Sequence, residues 1–159
     1  MVTIWFGLND SAGDVSQGNT SPRVPIDRYE ENLRHFVGVL RSQGARPILL
    51  TPNPVAWTPE LKRRYGKPPL NPDDPDGYNV FVKQYAGVVR KVAAAWNVPL
   101  VDVYRLFDDY ARSDRNRLHD LTLDGMHPND RGHRMIADHL VTIIRPLTST
   151  RCKEQPGGE

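Results

Sequence analysis

Three short apolar runs, separated by long stretches with helical periodicity, constrain the fold of this chain more than any other feature. The runs are Val2–Phe6, Pro47–Thr51 and Val98–Val103, and each is mainly apolar and rich in β-branched or aromatic side chains. Such runs are typical of strands that are buried on both faces of a sheet. Strands that alternate with helices form parallel sheets, because each crossover connection lays a helix on a face of the sheet. The sequence therefore predicts an α/β fold with a parallel sheet.

Apolar residues recur at helical spacing in three stripes, two between the predicted strands and one after the third. The stripes are Ile26, Tyr29, Leu33, Phe36, Val37 and Leu40; Tyr78, Phe81, Val82, Tyr85, Val88, Val89, Val92 and Trp96; and Ile136, Leu140, Ile143, Ile144 and Leu147. Gly44 is expected to stop the first helix, and Asn129 can cap the last. A short helix is predicted at residues 104–110. The Gly-, Ser- and Pro-rich residues 11–25 and the Pro- and Asp-rich residues 52–79 are predicted to be loops.

Length and charge fit one domain of ordinary composition. The 159 residues are 38% hydrophobic, which suffices for one core and not for two. Lys and Arg number 21 against 19 Asp and Glu, so charge provides no argument for a nucleic-acid or membrane partner. No apolar run approaches the roughly 20 residues of a membrane span. A single cysteine excludes an intrachain disulfide. We predict one domain over residues 1–147 and a polar, disordered tail over residues 148–159.

Two short motifs carry residues with the chemistry of hydrolases. Gly7-Leu8-Asn9-Asp10 follows the first predicted strand, and Asp124-Gly125-Met126-His127 lies near the far end of the chain. An aspartate three residues before a histidine can hold one imidazole nitrogen, which leaves the other free to deprotonate a hydroxyl. An asparagine at the carboxyl end of a strand can donate its amide N–H to a developing oxyanion. The two motifs thus supply a base, a carboxylate that orients it and one oxyanion donor, but no nucleophile.

These motifs resemble the G-x-N-D and D-x-x-H blocks of the SGNH (GDSL-type) hydrolases. Similarity to the isoamyl acetate-hydrolysing esterase branch covers roughly residues 2–147, including residues 24–33 and 48–54. The resemblance implies a three-layer, flavodoxin-like fold and hydrolysis of a short-acyl, acetyl-like ester of an alcohol or carbohydrate, without cofactor or metal. In that reading His127 is the base, Asp124 orients it and Asn9 donates to the oxyanion. Gly7 and Asp10 are assigned to structural support.

The nucleophilic serine of the resembling family lies in a Gly-Asp-Ser block after the first strand. The chain has six serines, none in that setting: Ser11, Ser16, Ser21, Ser42, Ser113 and Ser149. We therefore expect residues 1–147 to be the C-terminal portion of one esterase domain, with two N-terminal strands missing, and the chain alone to be inactive. A non-catalytic remnant or binding module, or one half of a split esterase, are the alternatives.

Absence of the neighbouring strand would leave the run Val2–Phe6 at the edge of the sheet. No proline or charged side chain lies within this run. Unguarded apolar edge strands present unpaired N–H and C=O groups, which tend to pair with another chain. We therefore expect self-association through this strand.

Other residues that could carry chemistry are given structural interpretations. Asp130 and His133 form a second Asp-x-x-His pair, but both fall in the first turns of the last helix, where Asp130 favours the positive end of the dipole. Ser11 as nucleophile would share one turn with the oxyanion donor. Adjacent His119 and Asp120 are expected to point apart.

Two further groups of residues contain side chains that occur in metal or substrate sites. A metal site built from His119, His127, His133 and Asp124 lacks any recognised ligand spacing. Three aromatic residues in or beside the long connection could equally line a substrate pocket or pack at the surface: Trp57, Tyr65 and Tyr78.

Overall fold

A parallel three-stranded sheet forms the centre of the molecule, for which a computed structural model describes residues 1–13, 18 and 20–149. The strands β1 (Val2–Trp5), β2 (Pro47–Leu50) and β3 (Leu100–Val101) lie in that order. Val2 is paired with Pro47 and Trp5 with Leu50. The predicted α/β fold with a parallel sheet is confirmed.

Helices cover both faces of this sheet. The elements are α1 (Ile26–Ser42), α2 (Pro59–Tyr65), α3 (Asn79–Ala95), α4 (Val103–Ala111) and α5 (Asp130–Ser149).

Alternate residues of β2 pack on opposite faces. Leu49 packs in one cluster with residues of α1 and α3, whereas Ile48 and Leu50 pack with residues of α4 and α5. All three are at most 3% exposed, so β2 is buried on both faces. This burial explains why the strand reads as a continuous apolar run.

The predicted third strand is wrong in length, because only Leu100–Val101 is paired. Asp102 ends the strand by capping α4, where its carboxylate accepts the N–H of Arg105 at 3.2 Å. The same carboxylate accepts two hydrogen bonds from the guanidinium of Arg90, at 2.7 and 2.9 Å. Val103 therefore belongs to a helix and not to the sheet.

The long connection between residues 52 and 79 is not entirely a loop as predicted. It contains α2, whose N-cap is Thr58 and whose first residue is Pro59. The hydroxyl of Thr58 accepts the N–H of Leu61 at 3.3 Å. A threonine followed by proline is a recognised helix-start signal, but Leu61 is the only buried residue of α2, so no apolar stripe marks it.

The last helix begins where the sequence indicates. Asn129 Oδ1 accepts the N–H of Gly132 at 3.0 Å, so the predicted cap is confirmed. The backbone of α5 continues to Ser149, two residues into the predicted tail. The rest of that tail, residues 150–159, and the side chain of Leu147 lie outside the described residues.

β1 is one of the two edge strands of the sheet in the described part of the chain, because it pairs only with β2. Val2 is 39% exposed and Phe6 is 56% exposed at this edge. The Phe6 ring contacts that of Phe36 on α1, with centroids 6.1 Å apart. None of the described helices has both the length and the apolar character needed to cross a membrane.

Candidate active site

His127 lies in a tight loop, residues 122–128, which we call the His loop. The N–H of Leu123 donates to the carbonyl of His127 at 2.8 Å and closes the loop at its base. Gly125 turns the chain with a φ of +90°, and a Cβ there would lie 2.9 Å from the carbonyl oxygen of Ala56. Only glycine therefore fits at the tip, since both the backbone conformation and the close approach exclude a side chain.

Asp124 and His127 form a hydrogen-bonded pair within this loop. His127 Nδ1 lies 2.8 Å from Asp124 Oδ2. The other carboxylate oxygen, Oδ1, accepts the backbone N–H groups of Met126 at 2.9 Å and of His127 at 2.8 Å. His127 Nε2 has no hydrogen-bond partner among the residues that the structure describes. The imidazole thus presents its second nitrogen for a proton transfer.

The environment of Asp124 keeps its carboxylate ionised. Burial raises the pKa of this carboxyl, but the hydrogen bonds from His127 and Met126 outweigh that effect and lower the pKa to about 2. The ionised form therefore persists well below neutral pH. A negative charge on Asp124 can stabilise the imidazolium that forms when His127 accepts a proton.

A cavity of about 300 Å³ at the carboxyl ends of β1 and β2 brings the two sequence motifs together. Its polar and aromatic lining residues are Trp5, Phe6, Asn9, Asp10, Asn53, His127 and His133. The carboxyl ends of strands are where sites lie in open parallel sheets. Asn9 and His127, which are distant in sequence, thus line one space.

The turn after β1 is shaped by Gly7 and presents Asn9. Gly7 has a φ of +120°, and a Cβ there would lie 2.8 Å from the hydroxyl of Tyr29. The N–H of Gly7 donates to Asp10 Oδ2 at 3.0 Å. Asn9 is exposed, and its side chain has no hydrogen-bond partner in the described part of the chain. Its amide is therefore available to a ligand in the cavity.

Ser11 is poorly placed to act as a nucleophile. It is fully buried, and its hydroxyl donates to the carbonyl of Leu8 at 2.9 Å. None of the serines with a described side chain lines the cavity: Ser11, Ser21, Ser42 and Ser113. Ser16 and the side chain of Ser149 lie outside the described residues.

The second Asp-x-x-His pair is arranged differently from the first. Asp130 and His133, both in the described part of the chain, share no hydrogen bond or ion pair. The ring of His133 packs edge-on against Trp5, with centroids 6.2 Å apart, and lines the cavity beside His127. No local sequence pattern predicts the placement of His133 at the cavity wall, because its contact with Trp5 spans most of the chain.

The remaining candidates lie outside this cavity. The expectation that His119 and Asp120 point apart is wrong, because His119 Nε2 lies 3.5 Å from Asp120 Oδ1. Neither residue lines the cavity. Within residues 1–13, 18 and 20–149, no three His, Cys, Asp or Glu side chains are grouped so as to hold a metal ion. The rings of Trp57 and Tyr65 both contact that of Tyr78, at 6.4 and 5.5 Å between centroids.

Asn53 is a residue of the site that the sequence only partly indicates. It is 3% exposed, lines the cavity and donates through Nδ2 to the carbonyl of Met126 at 2.7 Å. The sequence feature that points to Asn53 is its position just after the buried strand β2, at the edge of the sheet where sites lie. Its contact with the His loop could not be anticipated, because the two residues are 73 positions apart.

Fold and site together define an α/β domain with a histidine–aspartate pair at the strand ends. The chain belongs to the GDSL-like lipase/acylhydrolase family, whose sequence model matches residues 1–135. The resemblance to the SGNH hydrolases and to their isoamyl acetate-hydrolysing branch is thereby confirmed.

Several relatives of the chain are named as esterases or esterase homologs. It is 33% identical over 155 residues to the isoamyl acetate-hydrolyzing esterase 1 homolog of Rattus norvegicus. The aligned region covers 94% of this chain and 57% of that relative. It is 26% identical over 150 residues to the isoamyl acetate-hydrolyzing esterase of Saccharomyces cerevisiae, covering 91% of this chain and 56% of that protein. The chain thus spans a little over half the length of the curated relatives that it matches.

A solved structure has the same fold. The acetylxylan esterase of Geobacillus stearothermophilus superposes with a TM-score of 0.64 at 25% sequence identity. The match covers 89% of this chain and 57% of that one.

Proposed function

We propose that this chain supplies the base, its orienting carboxylate and one oxyanion donor of an SGNH-type serine esterase. The substrate is a short-acyl, acetyl-like carboxylic ester. The observation that carries the proposal is the 2.8 Å contact between His127 Nδ1 and Asp124 Oδ2, beside a cavity that Asn9 also lines.

The acetylxylan esterase supports this assignment of roles. Three of its solved structures are single-residue variants that are described as catalytic mutants. One replaces a serine by alanine, one an aspartate and one a histidine. The aspartate precedes the histidine by three positions in that enzyme, as Asp124 precedes His127 here.

In the proposed reaction, His127 Nε2 removes the proton of a serine hydroxyl while the serine oxygen attacks the carbonyl carbon of the ester. The carbonyl oxygen becomes an oxyanion, to which the amide of Asn9 donates. His127 then protonates the leaving alcohol, and Asp124 stabilises the imidazolium in between. A water molecule, deprotonated by His127, cleaves the acyl-serine and releases the acid. We propose that the serine belongs to a Gly-Asp-Ser segment that this chain does not contain.

The size of the cavity favours a small ester. Ligand cavities span roughly 300–1,000 Å³, and this one holds about 300 Å³. Its wall includes Trp5, Leu8 and Pro52, which are apolar over most of their surface. Such a space suits a short acyl group better than a long fatty-acyl chain.

The proposal is tested by restoring the nucleophile. A Gly-Asp-Ser segment from an isoamyl acetate-hydrolysing relative, joined before Met1, is expected to give a fused protein that hydrolyses p-nitrophenyl acetate. The chain alone is expected to give no more hydrolysis than free imidazole, because the nucleophile and its neighbouring oxyanion donors are lacking. A fluorophosphonate should label the added serine.

The control is the same fusion with that serine replaced by alanine, which is expected to be inert. Folding of each protein is followed by circular dichroism. Turnover by the chain alone, with label on one of its own six serines, would place the nucleophile elsewhere. A folded fusion without activity would favour the binding-module alternative.

We also propose that the open edge of β1 causes self-association. The outer side of β1 pairs with no other described strand, Val2 and Phe6 are exposed beside it, and Phe36 extends the apolar surface. Size-exclusion chromatography with light scattering is expected to show species larger than the 18.0 kDa monomer. Val2→Lys should reduce their fraction, because a charge on an edge strand opposes pairing.

Val80→Lys is the matched control for this prediction. Val80 has the same 39% exposure as Val2 but lies on α3, away from the edge. Its replacement should leave the association unchanged. A monodisperse monomer that unfolds cooperatively would contradict the proposal.

A further inference from the structure

We propose that Asn53 is a positioning residue for the Asp124–His127 pair and that it acts by holding the His loop against the chain segment after β2. This segment, residues 53–56, is called the supporting segment. The inference rests on the proposed function, because the position of the loop matters for chemistry only if His127 is the base.

Asn53 fixes the peptide group between Met126 and His127. Asn53 Nδ2 donates to the carbonyl of Met126 at 2.7 Å. The N–H of the same peptide group, that of His127, donates to Asp124 Oδ1 at 2.8 Å. A peptide group is planar, so a bond to its carbonyl also fixes the direction of its N–H. Hydrogen bonds in such a chain polarise and strengthen one another.

The preceding peptide group is held in the same way. The N–H of Ala56 donates to the carbonyl of Gly125 at 2.8 Å. The N–H of that peptide group, that of Met126, donates to Asp124 Oδ1 at 2.9 Å. Two successive peptide groups thus connect the supporting segment to one carboxylate oxygen. The other oxygen of Asp124 orients the imidazole of His127.

Asn79, the first residue of α3, anchors the supporting segment itself. Its Oδ1 accepts the N–H of Val55 at 2.7 Å, and its Nδ2 donates to the carbonyl of Val55 at 2.8 Å. Val55 is 1% exposed, so neither backbone group of this residue has ready access to water as an alternative partner. The anchor therefore makes the supporting segment a rigid base for the loop.

The second N–H of the Asn53 amide is also engaged, with the carbonyl of Pro54 at 3.2 Å. Both donors of the side chain are therefore used, and the amide cannot rotate without losing one of them. Leucine has the same branched arrangement of four side-chain heavy atoms as asparagine, is bulkier and has no donor, so Asn53→Leu removes the hydrogen bonds and leaves the space filled. The carbonyl of Met126 would then lack its partner.

The test is the pKa of the Asp124 carboxyl, measured by NMR titration of ¹³C-labelled aspartate side chains in the chain as it stands. The native value is expected near 2, held low by N–H donors of the His loop. In Asn53→Leu these donors are less well directed, so the pKa should rise by at least about 1. Asn79→Asp keeps the oxygen that accepts the N–H of Val55 and loses the N–H that donates to its carbonyl. This variant should raise the pKa of Asp124 by less than Asn53→Leu does.

Asn116→Leu is the matched control. Asn116 Nδ2 donates to the backbone carbonyl of Tyr110 at 3.2 Å, a bond of the same kind outside the His loop. This variant is expected to lower the melting temperature without moving the pKa of Asp124. An unchanged pKa in a folded Asn53→Leu protein, or an equal rise in Asn116→Leu, would overturn the proposal. If Asn53→Leu does not fold, the test is made with Asn79→Asp. An unchanged pKa of Asp124 in that variant would overturn the proposal.

The measurement separates this inference from the proposed function, since the titration requires no catalysis. A pKa that responds as expected in a chain whose serine fusion is inactive would support the positioning role and contradict the esterase. In an active fusion, Asn53→Leu should lower kcat and leave KM nearly unchanged, because misdirection of the base affects the transition state more than substrate binding.

Discussion

Replacement of His127 by alanine in the serine-fused protein is expected to reduce ester hydrolysis by roughly 10⁴-fold or more. No other described side chain in the cavity combines an imidazole with a bonded carboxylate partner. Without the base, the serine hydroxyl keeps its proton and the leaving alcohol finds no acid. The measurement is kcat/KM for p-nitrophenyl acetate.

His133→Ala provides the matched control for this prediction. His133 lines the same cavity but contacts Trp5 and shares no bond with Asp130. Its replacement should leave most of the activity. Equal damage from the two substitutions would mean that the choice between the two Asp-x-x-His pairs is wrong.

Replacement of Asn9 by alanine is expected to lower kcat of the fused protein by roughly 10²- to 10³-fold, with little change in KM. Asn9 is exposed at the cavity. In the proposed role its amide donates to an oxyanion that forms during the reaction and is absent from the bound ester. Steady-state kinetics with p-nitrophenyl acetate measure both constants.

Asn32→Ala is the control, because Asn32 is also exposed but lies on α1 and does not line this cavity. It should change neither constant. A rise in KM with kcat unaffected in Asn9→Ala would assign Asn9 to substrate binding. Loss of stability without a change in either constant would assign it to the turn after β1.

The elements that the sequence predicts well are those whose apolar pattern reflects burial. The run Pro47–Thr51 is continuous because β2 is covered on both faces. In α1 the stripe residues Tyr29, Leu33 and Val37 are buried as predicted, whereas Phe36, in the same stripe, is 43% exposed. The apolar pattern does not predict the end of an element where a single polar residue determines it. Asp102 ends β3 by capping α4. The short helix α2 escapes detection because it buries only Leu61.

In the candidate site, too, some contacts can be predicted from the sequence and others cannot. Asp124 and His127 are close in sequence, so their contact could be expected from spacing alone. The support from Asn53 and Asn79 depends on where β2 ends and where α3 begins relative to the His loop. Such long-range contacts are set by the packed fold, and no local pattern encodes them.

The closure of the His loop by its own hydrogen bonds has a consequence for the thermodynamics of substrate binding. The rotational freedom of the His127 side chain is restricted when the loop folds, because Asp124 lies only three residues away. The conformational entropy lost in ordering the imidazole therefore belongs to folding. If His127 is the base, as proposed, a substrate that binds later does not also have to order the imidazole, so this entropy cost does not weaken its binding.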